Sequence, residues 1–311
     1  MSKKLNILFL GGGKRTSLAE RFLESGRKMN LKVNIFSYEI SNEVPINSMA
    51  KIIIGLKWND PKIYSNLLKV IKKFNISLII ANVDQATIVL SKLYNIYPNL
   101  NLISSDHKIC KILFNKLKTF EICKKNNIKT IPMSNKNFPM YVKLITGSAS
   151  KGGAIIRNLQ EYNYFFKENK KSKYIKQKFL NGIEYSVDAY ISKKGIFMGA
   201  IPRIRENITD GESTKTKIVI DNEIVKTSRE ICTKLNLKGP ITLQFIRFKK
   251  KLFFLEINPR FGGGAIASIE AGLDIPTLMI KDYFNLSIKK LSKYKNLVMT
   301  RSYRETFHKL N

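Results

Sequence analysis

Apolar positions in the first hundred residues come in short runs separated by longer stretches with helical spacing. Runs at residues 5–10, 32–37, 51–54, 77–81 and 101–104 predict strands, and residues 16–29, 61–74 and 85–94 carry helical periodicity. Strands that alternate with helices imply parallel βαβ units. Ligands of such sheets sit beyond the carboxyl ends of the strands, which gathers residues 11–15, Tyr38, Glu39 and residues 82–84 around one crevice. From residue 105 the pattern changes. Two helical stretches run through Lys116 to residue 126, and after Pro132 come a strand at 141–144, a glycine-rich turn and a strand at 174–179. Residues 185–192, 195–201, 215–220, 239–248 and 252–257 then read as strands with one helix among them, at 222–235, which is an antiparallel signature. Helices are predicted at 265–271 and 276–284, and the tail from Leu286 is lysine-rich and weakly patterned.

The pattern predicts an α/β (α+β overall) chain in three parts: a Rossmann-like parallel-sheet domain at 1–105, a small lobe at 106–180 and an antiparallel-sheet lobe at 181–311. A chain of 311 residues buries a core without covalent staples. No apolar run approaches the roughly 20 residues of a membrane helix. The short run at 5–10 turns into glycines, so it reads as a first strand and not as a signal peptide. Cys110, Cys123 and Cys232 are widely spaced, which suggests reduced thiols in a cytoplasmic protein. The net charge of +32 is spread along the chain, so nucleic-acid binding is expected to be at most nonspecific.

Chemistry concentrates in residues 239–264, GPITLQFIRFKKKLFFLEINPRFGGG. Two strand-like runs flank Lys249, Lys250 and Lys251, and a three-residue connection centred on Lys250 sets Gln244 opposite Glu256. Alternation then puts Asn258 on the face of Glu256, and three side-chain oxygens converge in a manner suited to a hard cation. A two-residue connection would send Gln244 to the other face. Read alone, the carboxylate followed by Asn-Pro and glycines is equally compatible with a plain turn. A carboxylate among buried positions nevertheless demands compensation, which a metal supplies.

The second segment is YVKLITGSASKGG, residues 141–153. Lys143 lies in an apolar strand ahead of Gly147, Ser148, Ser150, Gly152 and Gly153, a loop able to close over phosphates while the lysine supplies a charge. It lacks Walker order, and a flexible turn with a solvated lysine is the bland alternative. His107 and His308 are the two histidines, and neither is assigned a catalytic role.

Lys116, the lysine strand with its glycine loop, QKFLNGIEYSVDAY and LEINPRFGGG, in that order, resemble the ATP-grasp superfamily, and within it single-module proteins like the carbamoyl-phosphate-synthase large subunit. The resemblance implies ATP and Mg2+ (or Mn2+) as cofactors and an ADP-forming ligation of a small-molecule carboxylate to an amine through an acyl-phosphate. It implies that Lys116 and Lys143 hold phosphates beneath the lid at residues 147–153, with Ser148 and Ser150 in it. Gln177, Lys178, Phe179 and Leu180 resemble the adenine hinge, and Glu184 the ribose carboxylate. Gln244, Glu256 and Asn258 resemble the metal ligands, and Arg260 faces the transferred phosphate. Residues 206–216, with Gly211 and Ser213, resemble the loop beside the acyl-phosphate, where Arg203 and Arg205 suit an anion. Two positions depart from the pattern: Lys178 and Asn115 stand where acidic residues are frequent.

The GGGKR turn at 11–15 is not GxGxxG. By the same resemblance Lys14, Arg15 and Asp84 would serve an acceptor substrate. Carboxyphosphate or carbamoyl-phosphate chemistry, a polyanion-binding protein without catalysis and a dinucleotide-dependent oxidoreductase remain as alternatives. A homodimer is admitted as a partner state.

Overall fold

The computed structural model describes residues 3–135, 137–147, 152–209, 212–302 and 304–308. Its first lobe is a four-stranded parallel sheet in the order β3-β2-β1-β4, built from β1 (Lys3–Leu10), β2 (Leu31–Glu39), β3 (Lys51–Ile54) and β4 (Leu78–Ala81). Helices α1 (Thr16–Lys28), α2 (Ile63–Lys73) and α3 (Asp84–Ile96) connect and follow these strands. Side-chain alternation makes β1 a wall between two cores. Leu5, Ile7 and Phe9 join α1 on one face, while Leu8 and Leu10 join α2 and α3 on the other. Both faces are covered, which is why β1 reads as a continuous apolar run.

The strand predicted at 101–104 does not form. Leu102 and Ile103 are buried, but this stretch has no ladder partner and crosses as an extended link from the first lobe to α4 (His107–Leu113) and α5 (Lys116–Lys125). Its apolar residues answer to burial rather than to strand pairing. Asn115 caps α5, its Oδ1 accepting the Lys118 amide at 3.0 Å, a bond worth about 1 kcal/mol. The asparagine therefore serves the cap that an aspartate would also serve.

The small lobe is a three-stranded antiparallel sheet, β6-β5-β7, of β5 (Met140–Leu144), β6 (Ala154–Ile156) and β7 (Tyr174–Lys178), with α6 (Leu159–Glu168) packed beside it. The third sheet has six strands in the order β12-β11-β8-β9-β10-β13. These are β8 (Ile183–Ile191), β9 (Phe197–Thr209), β10 (Glu212–Ile218), β11 (Gly239–Phe248), β12 (Lys251–Asn258) and β13 (Val298–Thr300). Helix α7 (Asn222–Lys234) covers one face, and α8 (Ala265–Glu270) and α9 (Ile275–Tyr283) join the other to the first lobe. The segment at 206–216, expected as a loop, is largely the paired ends of β9 and β10. β13, within the weakly patterned tail, closes the far edge of the sheet against β10.

Candidate active site

The hairpin β11–β12 sets the geometry. Phe248 pairs with Lys251, so the connection is the two residues Lys249 and Lys250, and not the three expected. Both are left-handed, with φ of 46° and 62°, the signature of a primed turn. A two-residue turn alone would place Leu255 opposite Gln244. The ladder instead shifts between Phe245–Phe254 and Gln244–Glu256, with Leu255 as the extra residue. This bulge restores the expected pair, and it turns Leu255 and Glu256 toward the same cleft.

That cleft encloses about 290 Å³ between the small lobe and the six-stranded sheet. One end is apolar, walled by Ile131, Leu180, Ile246 and Leu255. The other carries Lys116, Lys143, Arg205, Gln244 and Glu256, with Glu184 also on the wall. Such an amphipathic slot fits a molecule that is flat at one end and polyanionic at the other.

The segment expected to receive adenine, residues 177–180, covers the end of β7 and the two residues after it. Gln177 is buried, its Nε2 donating to the Ile131 carbonyl at 3.3 Å. The Lys178 amide donates to Pro132 O at 2.9 Å and the Phe179 amide to Pro139 O at 3.1 Å. Among the described residues the Leu180 amide has no partner, which makes it the open backbone donor at the apolar end.

At the polar end the Lys116 ammonium donates to Gly147 O at 2.7 Å and its amide to Ile145 O at 2.8 Å, pinning the start of the glycine loop to α5. Burial draws the Lys143 pKa below its ordinary value, and Lys116 adds to this, while Glu256 and Glu184 oppose it. Burial likewise lowers Arg205, helped by Arg203 and opposed by Glu184 and Glu256. Cations and carboxylates thus face each other across the cleft with unequal numbers, and an added anion would settle the excess.

Asn258 Nδ2 donates to Glu256 Oε1 at 2.9 Å. Among the described residues Glu256 Oε2, Asn258 Oδ1 and the Gln244 amide have no hydrogen-bond partner, so oxygen acceptors remain for a hard cation. One carboxylate is a thin charge set, and no group of three His, Cys, Asp or Glu converges among the described residues. The donors therefore fit magnesium that arrives with phosphate oxygens better than a metal bound by protein alone.

A second chamber of about 240 Å³ shares Lys116, Gly147 and Glu256 with the first and adds Asp84, Gln85 and Asn258. Arg260 lines neither chamber. Its Nε donates to Asp84 Oδ1 at 2.6 Å and its Nη1 to Phe261 O at 3.0 Å, so it stands behind Asp84. Arg203 is also set back: its Nε meets Asp188 Oδ2 at 2.8 Å, and Asp188 further accepts from Thr242 and Ser268. A buried pair so fully bonded costs about 3–5 kcal/mol to break from one side, which marks Arg203 as a joint of the sheet with α8. Ser213 Oγ lies between Arg203 Nη1 at 3.4 Å and Arg205 Nε at 3.3 Å. Gly152 packs on Leu144, and Gly153 leads into β6. Ser148, Ser150 and Gly211 lie outside the described residues.

The first lobe holds a larger crevice of about 730 Å³ at the carboxyl ends of its strands, with Lys14, Arg15 and Glu39 on its walls. Sequence reasoning missed Leu56 and Trp58 there and Leu255 and Tyr141 in the first cleft. Trp58, the one tryptophan of the chain, was the available signal. Glu39 turns back toward the glycine turn: Oε1 accepts from Ser37 Oγ at 2.6 Å, and burial raises its pKa while Ser37 and the nearby Gly12 and Gly13 amides oppose the rise. A pyrophosphate on this turn would face the Glu39 carboxylate, against the dinucleotide alternative.

Comparison with known proteins agrees with this geometry. Residues 170–305, which include β7 to β13, match the family described as "ATP-grasp in the biosynthetic pathway with Ter operon". The carbamoyl phosphate synthase large chain of Clostridium botulinum is 28% identical over 135 residues, 40% of this chain and 13% of that one. The chain thus aligns with a small fraction of the curated relatives it matches. Among solved structures, N5-carboxyaminoimidazole synthetase from Staphylococcus aureus, complexed with ADP, superposes with a TM-score of 0.76 at 19% identity, covering 96% of this chain and 83% of that one. The biotin carboxylase domain of Hydrogenobacter thermophilus 2-oxoglutarate carboxylase, in complex with MgADP, ADP and bicarbonate, gives 0.72 at 15% identity, covering 94% and 73%. Among the described residues no helix is long and apolar enough to cross a membrane. Along its length the chain thus shares the fold of these solved structures, and over residues 170–305 its sequence matches an ATP-grasp family.

Proposed function

We propose that the chain is an ADP-forming ligase that phosphorylates a small-molecule carboxylate and passes the acyl group to an amine. The observation that carries this reading is the amphipathic cleft, with an open hinge amide at its apolar end and Lys116 and Lys143 opposite the Gln244–Glu256 pair at the other. Solved structures of the same fold carry ADP or MgADP, which supports a nucleotide as the ligand of this cleft.

In this reading adenine enters between Ile131, Leu180 and Leu255 and meets the Leu180 amide, while Glu184 takes the ribose hydroxyls. The two lysines hold phosphate oxygens, and phosphate raises the Lys143 pKa back toward its ordinary value by supplying the missing anion. Glu256, Asn258 and Gln244 would hold magnesium, which supplies charge neutralisation on the phosphoryl oxygens. The carboxylate substrate occupies the chamber at Asp84, Gln85 and Asn258, next to the Glu256 edge. Arg260, tethered to Asp84, is placed to exchange that carboxylate for a phosphoryl oxygen. Arg205 lines the nucleotide side, so of the two arginines near Ser213 it is the one that addresses the reacting anion.

The test is ADP release with pooled carboxylates, MgATP and hydroxylamine as the trap for an acyl-phosphate. Carboxylate-dependent hydroxamate is expected, with a loss on the order of 10³-fold in Glu256→Gln. ADP release that follows bicarbonate and yields no hydroxamate would select carboxyphosphate chemistry instead, and absence of MgATP binding would sink the ligase reading.

A further inference from the structure

Arg260 is fixed at its backbone and held back at its tip. Its amide donates to Asn258 O at 2.8 Å, its carbonyl accepts from Thr242 Oγ1 at 3.1 Å, and the next residue, Phe261, is buried. From that anchored start the guanidinium reaches Asp84 Oδ1 through Nε at 2.6 Å and Phe261 O through Nη1 at 3.0 Å. The pair is largely buried, with side-chain exposures of 15% for Arg260 and 20% for Asp84. Toward β4 the void beside Arg260 encloses about 10 Å³, room for about one water. On the other side Asp84 lines the chamber of about 240 Å³ and Arg260 does not, so the carboxylate stands between the guanidinium and the chamber.

Asp84 is suited to hold Arg260 and to let it go. It opens α3, a helix of 13 residues, and the amides of a first helical turn favour a negative charge, so the carboxylate stands without its arginine at small cost. Oδ1 takes Arg260, and Oδ2 has no hydrogen-bond partner among the described residues. The neighbouring Gln85 lines both the chamber and the crevice of the first lobe, so the pair sits where the two spaces meet. A ligand in the chamber that carries a carboxylate brings a second anion to one guanidinium. Like charges side by side disfavour each other, and the newcomer competes with Asp84 for Arg260.

We propose that Asp84 is a positioning residue that withholds Arg260 from the nucleotide until the carboxylate substrate arrives, so that MgATP bound without substrate is hydrolysed slowly. The action of Arg260 on the phosphoryl group rests on the ligase reading, whereas the withheld position of its guanidinium rests on the ion pair and the chamber wall alone. Release keeps Arg260 paired, since it exchanges one anionic oxygen for another, and the charge left on Asp84 is met by the first turn of α3. The side reaction suppressed in this way is transfer of the γ-phosphoryl group to water: the bond to ADP breaks, a bond to the water oxygen forms and the proton of that water passes to solvent.

The test is ADP release by the full-length protein from MgATP alone, with MgATP binding measured separately by calorimetry. Asp84→Asn keeps the shape of the side chain and removes its charge. It is expected to raise ADP release at saturating MgATP roughly 5- to 100-fold, the range of a typical coupling between two sites. Adding Arg260→Met to Asp84→Asn should remove that rise, because the effect runs through Arg260. Asp84→Ser removes the same charge and takes the place of Asp84→Asn if circular dichroism shows the latter unfolded. A folded, MgATP-binding Asp84 variant whose ADP release stays level or falls, or a rise that persists in the double variant, would overturn the inference and leave the ligase reading standing. Absence of MgATP binding by the unaltered protein would instead remove the ligase reading and this inference with it.

Discussion

Two glycine turns follow strands in this chain with basic residues beside them, one at residues 11–13 and one beginning at Gly147, and their described residues have different neighbours. The first is a closed object. The Glu39 carboxylate lies beside Gly13, and an added Cβ on Gly12 would lie 2.7 Å from Phe9 Cβ and 3.0 Å from Ser37 Oγ. At the second, among the described residues, a Cβ on Gly147 would meet nothing nearer than Leu144 Cδ1 at 4.0 Å, and the carbonyl of Gly147 is held by Lys116, which lines the cleft of about 290 Å³. Glycine permits a backbone course; the neighbouring strand decides whether the turn becomes a receptor for anions or the socket of a carboxylate.

Substitutions at the two turns and their supports test that contrast. The largest effect is expected at Lys143→Met, which should weaken MgATP about 10- to 100-fold by calorimetry. The same change should leave thermal stability equal or higher. Lys143 is depressed in the folded state, so between its folded pKa and 10.5 the unfolded chain binds more protons and stability rises with pH. Below that window the buried charge is a cost, and methionine removes it. A variant that lost stability at neutral pH would show that Lys143 is instead held by the cleft carboxylates. Next, Gly12→Ala should cost about 1–3 kcal/mol in denaturant unfolding through overpacking against Phe9, with MgATP affinity unaltered. Equal loss of nucleotide binding would mean that the turns act as one unit. The smallest effect concerns Lys249–Lys250, a left-handed pair without glycine. Lys249→Asn with Lys250→Gly should gain about 1 kcal/mol and raise Tm by about 2–4 °C, with activity unchanged.

Much of the architecture was readable because period-2 and period-3.6 patterns were clean where both faces of an element had distinct neighbours. β11 was predicted to the residue, and α2 and α7 nearly so. Where pattern and pairing part, the reading failed. Leu102 and Ile103 are apolar because they are buried, but nothing pairs with them. β13 is held by its partner β10 and carries little of its own alternation, and β6, with 3 residues, is too short to show a period. At the site, the Gln244–Glu256 pair was expected through a turn one residue too long, and an unexpected bulge supplied the missing residue. Local sequence sets the parity of a hairpin only as far as its first irregularity. Trp58 and Leu255 differ in another way: each lines a cavity assembled from segments apart in sequence, Trp58 within the first lobe and Leu255 between the small lobe and the six-stranded sheet.

The bulge at Leu255 makes residue number at the hairpin tip a conserved sum, independent of which residue is inserted. One extra residue in the turn and one fewer at the bulge leave Gln244 facing Glu256, while either change alone rotates the carboxylate out of register with its partner. Insertions and deletions in descendants of this chain should therefore be tolerated at the tip in compensating pairs and purged when single. The length of the loop and the defect in the strand are in that sense one inherited character.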